Sequence, residues 1–294
     1  MKKFNMQNVF LWIKNDQEGG YKFRYSDTPD LISGYLGLQI ENSLRLGWNK
    51  EDIILITNFS FEYMGVKANV VNDICRWSAF ANKMVVINEM IKKGIINDNF
   101  WLHDCDAYQL VPFNFPEECK DVNFVRHAPG REKPQGGSVF YRKEAFDIVE
   151  VLSKAIQLFQ PAKEESFFPF FYHKEYKNKM VFKYDAIIKK LSVKNDEESK
   201  NALELHKKLR DFSFNYFGEF EDRFKWLNWT YNLFRQRQFD KKYPEAEKPI
   251  KVVHFHPEDQ SCLDRFYYGK NSYNVKIIDV ELSKLFVKYG LVKV

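Results

Sequence analysis

The chain has 294 residues, 45% apolar and 29% charged, a globular composition long enough for one large domain or one domain with an appendage. Lys and Arg number 45 against 40 Asp and Glu, so the net charge of +5 permits an anionic partner without demanding one. No apolar run reaches the ~18 residues of a membrane span, and the four cysteines (Cys75, Cys105, Cys119, Cys262) form no CxxC pair, which argues against a membrane protein, a disulfide scaffold and a zinc ribbon.

Val9–Lys14 is a short strand-like run ending in the polar Asn15-Asp16; stopped by Lys14, it is too short for a secretory signal. Apolar residues from Leu31 to Leu46 fit a helical stripe that Gly47 ends. Asp52–Thr57 (DIILIT) reads as a buried strand running into Asn58. Ile74, Trp77, Phe80, Met84, Ile87 and Ile91 recur at helical spacing, with Asp73 as the expected N-cap and Gly94 as the stop. Phe100–His103 is a third strand, followed at once by Asp104-Cys105-Asp106. Further strands are expected at Val122–Arg126 and Ser138–Tyr141, and a helix over Lys143–Gln160, closed by Pro161.

Strands alternating with helical patterns predict an α/β fold with a mostly parallel sheet in its first half. From Asn195 to about Pro244 the chain is charged and helical in pattern, with no strand signal. Strands return at Ile250–His256 and Val275–Val280, before a terminal helix from Leu282. The expected organisation is therefore a catalytic α/β unit over 1–194, a helical insertion over 195–248, and C-terminal strands and helix over 249–294 that complete the first unit. The 28 Phe and 16 Tyr fit an A/T-rich coding sequence, with a stacking surface for sugars or bases as the alternative.

In such sheets ligands sit beyond the carboxyl ends of the strands. Asp104 and Asp106 lie there, where two hard oxygen ligands suit Mg²⁺ or Mn²⁺. His254 and His256 (VVHFHPE), two apart on a strand, face one side and can add imidazole to the same cation. Pro134-Gln135-Gly136-Gly137-Ser138 lets backbone pass close to a ligand. Lys163-Glu164-Glu165-Ser166 offers Glu165 or Glu164 as a general base across a pocket.

Together these features resemble a metal-dependent glycosyltransferase of the GT-A type: HDCDA after a strand, PQGGSVF, KEES, and the late HFH. The resemblance spans about residues 7–190 and 250–260 and, more faintly, extends to transferases carried by phages, some of which decorate modified bases in DNA. It implies a GT-A-like, Rossmann-type mixed sheet flanked by helices, with Asp106 bound to Mn²⁺ or Mg²⁺, Asp104 on the donor ribose or the metal, and His256 or His254 completing the shell. Asn15 and Asn58 would meet the base and ribose, and Arg76 and Lys83, seven apart on one helix, a phosphate. Gly136 and Gly137 would let backbone approach the donor. Glu165, or Glu164, would serve as base only in an inverting transfer. The donor would be a nucleotide-diphosphate sugar (UDP by default, hexosyl or pentosyl), the acceptor a glycan, a protein or modified DNA. Free thiols suit the cytoplasm, the host's if the protein is viral.

Two other functions fit parts of the same sequence. A metal-dependent phosphoesterase or nuclease would use Asp104, Asp106, His254 and His256, although two-metal sites recruit more ligands. A non-catalytic nucleic-acid-binding protein would use Arg223–Tyr243, where six basic residues interleave with Trp226, Trp229, Tyr231 and Phe234.

Overall fold

A computed structural model describes residues 4–14, 28–128, 131–161, 165, 167–194, 196–234, 249–255 and 278–292. Strand β1 (Gln7–Trp12) leads to helix α1 (Pro29–Arg45). Thr28 starts that helix by accepting the Leu31 N–H, and Pro29 suits its first turn. Gly47, with φ at +96°, turns the chain out of it. β2 (Ile53–Thr57) follows, then the short β3 (Glu62–Tyr63), β4 (Val66–Lys67) and β5 (Asn69–Val70).

Helix α2 spans Asn82–Lys92, so the helix expected from Ile74 starts later and Asp73 is not its cap. Asn82 explains the delay. Its Oδ1 accepts the Cys75 N–H at 2.5 Å and its Nδ2 donates to the Ser78 carbonyl at 3.4 Å, fixing a non-helical loop ahead of the helix.

β6 (Phe100–His103) and β7 (Ala107–Gln109) flank the acidic loop, and β8 (Val122–Ala128) and β9 (Arg131–Tyr141) form an antiparallel pair. Pro134–Ser138 therefore lies inside a strand and does not precede one. α3 (Phe146–Phe159) ends on Gln160 in the left-handed region, as the expected stop before Pro161 requires.

Within the expected helical insertion over 195–248, the described residues hold both helix and strand. Helices begin earlier, with α4 (Phe168–Tyr172) and α5 (Lys174–Leu191), and α6 (Glu197–Tyr216) lies beside α5 through Tyr184–His206 and Asp185–Arg210. Then β10 (Phe224–Leu227) adds a strand where none was expected. Phe-Lys-Trp-Leu alternates at period two, and the helix formers around it hide that pattern. β11 (Leu233–Phe234), β12 (Val252–His254) and α7 (Val280–Lys288) complete the described elements. Residues 275–277 of the strand expected at Val275–Val280 lie outside the described residues. Val280 opens α7, because Asp279 caps it by accepting the Leu282 N–H at 2.6 Å.

The central sheet has the order β10-β8-β9-β6-β1-β2-β5, with β9 running against the others. Side-chain alternation sends Val9, Ile54, Phe100 and Leu102 to the face covered by α2, α3 and α4, and Phe10, Leu55 and Trp101 to the face covered by α1 and α7. Aromatics fill both layers. Among the described residues the largest fully buried side chains are Trp, Tyr and Phe, so aromatics form much of the core. Cys75, Cys105 and Cys119 are free thiols. No described helix is long and apolar enough to cross a membrane.

Arg223 ties the edge strand β10 to the body. It donates to both Asp147 oxygens (2.6 and 2.9 Å), to Asp121 (2.5 Å) and to the Glu144 carbonyl (2.6 Å). Burial pushes the Asp147 carboxyl up, but the Arg223 hydrogen bonds outweigh it and hold the group below its ordinary 3.8. Because the acids are partly exposed, Arg223→Ala should cost about 1 kcal/mol. The carboxylate is charged at and above its unfolded pKa, so the cost stays constant from neutral pH down to that range and is lost as pH falls through the lowered folded value. Urea unfolding of both proteins at neutral pH and at about pH 2 checks this.

Candidate metal centre and active site

The acidic loop leaves β6 at the carboxyl end of the parallel strands. Asp104 N–H donates to the Gly137 carbonyl and Ala107 N–H to the Asp104 carbonyl, both at 3.0 Å, which folds the loop tightly against β9. Helix α1 holds it from below. Gln39 Nε2 donates to the Cys105 and Ala107 carbonyls (2.7 and 3.0 Å), and Asn42 Nδ2 to the Gln109 carbonyl (2.9 Å). These buried amides satisfy carbonyls that would otherwise be orphaned away from water. His103 sits beneath, stacked on Trp101, with Nδ1 2.9 Å from the Asp104 carbonyl and Nε2 2.7 Å from Asn8 Oδ1. Burial pushes its pKa down to about 4, so the neutral ring has one proton for two acceptors.

The late histidine reaches this loop through a second, three-stranded sheet, β11-β12-β7. β12 pairs antiparallel with β7, setting His254 opposite Ala107, and Phe255 N–H donates to the Asp106 carbonyl at 3.1 Å. His254 Nε2 then lies 3.0 Å from Asp106 Oδ1 and 3.9 Å from Asp104 Oδ2. Two carboxylates and one imidazole offer ligand atoms all within 4.8 Å of one another. Two hard oxygens and one imidazole nitrogen suit Mn²⁺ or Mg²⁺, so the donor set fits a divalent cation. Among the described residues this is the one such group, short of the ligand count a two-metal hydrolytic site needs.

Each glycine of the Gly136–Gly137 pair makes room for one side chain. A Cβ on Gly137 would lie 2.1 Å from His254 Cε1, and one on Gly136 would lie 2.6 Å from Glu165 Oε1. Glu165 accepts the Gly136 N–H at 2.8 Å. Lys83, from α2, reaches Asp104 Oδ1 at 2.5 Å and donates to the Gly136 carbonyl at 3.2 Å. Asp104, Asp106, His254, Gly136, Gly137, Glu165 and Lys83 are thus brought together.

Two other expected positions, Arg76 and Asn58, are not. Arg76 is exposed in the loop before α2 and does not share a helix with Lys83. Asn58 sits at the end of β2, where its side chain accepts the Lys14 N–H (2.8 Å) and donates to the Lys14 carbonyl (3.0 Å), joining two strand ends. Asn15, Glu164 and His256 lie outside the described residues. Of the basic and aromatic stretch Arg223–Tyr243, the residues described, 223–234, pack into the fold. Arg223 is clamped as above, Lys225 pairs with Glu118, Trp226 packs on Phe124 and Tyr172, and buried Trp229 donates to the Arg126 carbonyl. Arg235, Arg237, Lys241 and Lys242 lie outside the described residues. Gln39, Asn42, Gln135 and Asn232 were missed as site residues. A polar residue on an otherwise apolar helical stripe was the available signal for the first two.

No protein-family model matches the chain, and no curated protein sequence does. Among solved structures it is similar to the galactosyltransferase LgtC in complex with donor and acceptor sugar analogs, at 11% identity over 98% of this chain and 97% of that one, TM-score 0.44. It is also similar to a glycosyltransferase involved in the glycosylation of the major capsid of PBCV-1 (13% identity, 84% and 93% covered, TM-score 0.42). A third is the glycosyltransferase GlyE of Streptococcus pneumoniae TIGR4 (14% identity, 96% and 64% covered, TM-score 0.46). These three similarities lie below 15% identity and below a TM-score of 0.5.

Gly137→Ala tests the packing of the centre. A methyl group forced against the buried His254 ring should cost about 1–3 kcal/mol and weaken Mn²⁺ binding by about tenfold or more through the displaced ligand. Thermal melts and isothermal titration with Mn²⁺ read the two effects separately.

Proposed function

We propose that the chain is a divalent-cation-dependent glycosyltransferase of the GT-A type that uses a nucleotide-diphosphate sugar. One observation supports this most: Asp104, Asp106 and His254 converge at the carboxyl end of the parallel strands, with a lysine beside them. A site with few carboxylates leaves much of a cation's shell open, and substrate phosphates are the ligands that complete such shells. Lys83 adds a positive charge next to Asp104, positioned to meet a phosphate of the same donor.

Asp104, Asp106 and His254 would hold the cation, which when bound neutralises charge developing on the leaving diphosphate. Asp106 is largely buried and already in contact with His254, which orients its carboxylate toward the centre. Asp104 is more open and pairs with Lys83, so it can serve the donor ribose as well as the cation. Gly136 and Gly137 keep the strand bare where donor and side chains crowd together. Glu165, held by the Gly136 N–H, is the candidate base for an inverting transfer; a retaining transfer needs none. We take UDP as the default nucleotide and a glycan or protein hydroxyl as the acceptor, since Arg223, Lys225, Trp226 and Trp229, among the described residues of the stretch proposed to dock DNA, are engaged within the fold.

Asp106→Ala should lower the transfer rate by about 10²–10³-fold while the thermal midpoint of the cation-free protein changes little. A panel of nucleotide sugars, with and without Mn²⁺, should show stabilisation by one donor only when the cation is present. Transfer by Asp106→Ala at the wild-type rate, or donor binding indifferent to Mn²⁺ and to chelator, would retire the assignment.

A further inference from the structure

We infer that Gln135 decides which nitrogen of His254 faces the acidic pair, and that in the cation-free protein it keeps the imidazole proton on Nε2, against Asp106. This inference rests on reading Asp104, Asp106 and His254 as a cation centre, and it concerns a residue beneath them. Gln135 and His254 are both buried, at 4% exposure. Gln135 Oε1 accepts the Gly137 N–H at 2.7 Å and also accepts from Asn232 Nδ2.

A backbone N–H can only donate, so the oxygen end of the amide must face Gly137. The nitrogen end is therefore turned to His254, with Gln135 Nε2 3.0 Å from Nδ1. An amide nitrogen also only donates, and two N–H groups cannot face each other at that distance. Nδ1 must supply its lone pair, and the neutral ring carries its proton on Nε2. That nitrogen lies 3.0 Å from Asp106 Oδ1, where the proton completes a hydrogen bond to a carboxylate.

The consequence is a centre that closes on itself when empty. To ligate through Nε2, the ring must give up that proton to water and take one from water on Nδ1, with no net change in charge. The Gln135 amide then opposes the new Nδ1–H until it turns over, and turning it over would set its NH₂ against the Gly137 N–H. Gln135 is thus a positioning residue that holds cation affinity down. Histidine ligands usually gain affinity from an acceptor at the second nitrogen, whereas here that nitrogen meets a donor.

The test substitutes Gln135→Glu, which keeps an oxygen for Gly137 and Asn232 and presents an acceptor to Nδ1. In cation-free wild type, two-bond ¹H–¹⁵N spectra of the His254 ring should show the proton on Nε2 with Nδ1 bare; in the variant Nδ1 should carry a proton. Mn²⁺ affinity, read by paramagnetic resonance titration, should rise by about tenfold in the variant. A wild-type proton on Nδ1, or a wild type that binds Mn²⁺ beside a variant that binds it no more tightly, overturns the inference. If the variant fails to fold, the wild-type spectrum decides alone. A wild type that shows the Nε2 proton but binds no Mn²⁺ in either form would retire the cation centre and leave the assignment of the proton standing.

Discussion

The pairing of β12 with β7 is the interaction on which the candidate site depends. The acids belong to a loop at the top of the central sheet, and among the described residues that sheet places no third candidate ligand with them. Three residues of backbone register, His254 opposite Ala107 with Phe255 bonded to the Asp106 carbonyl, bring the imidazole to the acids. A slip of one residue would turn His254 to the other face of the strand. Phe255 and Tyr108, both buried and packed edge-to-face, oppose that slip by locking the small sheet against Phe286 of α7.

The surroundings show how such a loop is held. Carbonyls of residues 105, 107 and 109 point into the protein, where water cannot satisfy them, and α1 answers with Gln39 and Asn42. Polar side chains on a buried helix face are costly unless every one is paired. Here the pairing also fixes the acids, so one set of hydrogen bonds serves both stability and geometry. The glycine pair of β9 works in the opposite sense, by omitting side chains so that His254 and Glu165 can lie against bare strand.

Much of this was legible in the sequence, for physical reasons that can be named. The buried strands announce themselves as apolar runs, and it is the place of the Asp-x-Asp at the tip of one that sets it apart from a turn with solvated acids. The late histidine was found because two-residue spacing on a strand fixes a common face, although the first of the pair is the one the described residues place at the acids. What was not legible depended on side-chain bonds between distant residues. Asn82 delays a helix that periodicity alone begins at Ile74, and with it removes Arg76 from the face of Lys83. β10 was hidden because its alternation is short and its charges, Arg223 and Lys225, look like those of a solvated helix until Asp121, Asp147 and Glu118 are brought beside them. The amide relay through Gln135 and Asn232 could not be read in advance, since neither residue type nor spacing marks it.

The order in which these parts leave the ribosome follows from the same register. Both acids, the glycine pair and strands β1 to β9 are translated long before β12, so the acidic loop of a nascent chain lacks its imidazole until β12 is made. The proposed cation centre is therefore completed only when the C-terminal strand has been made, after the carboxylates and the glycine pair that surround it.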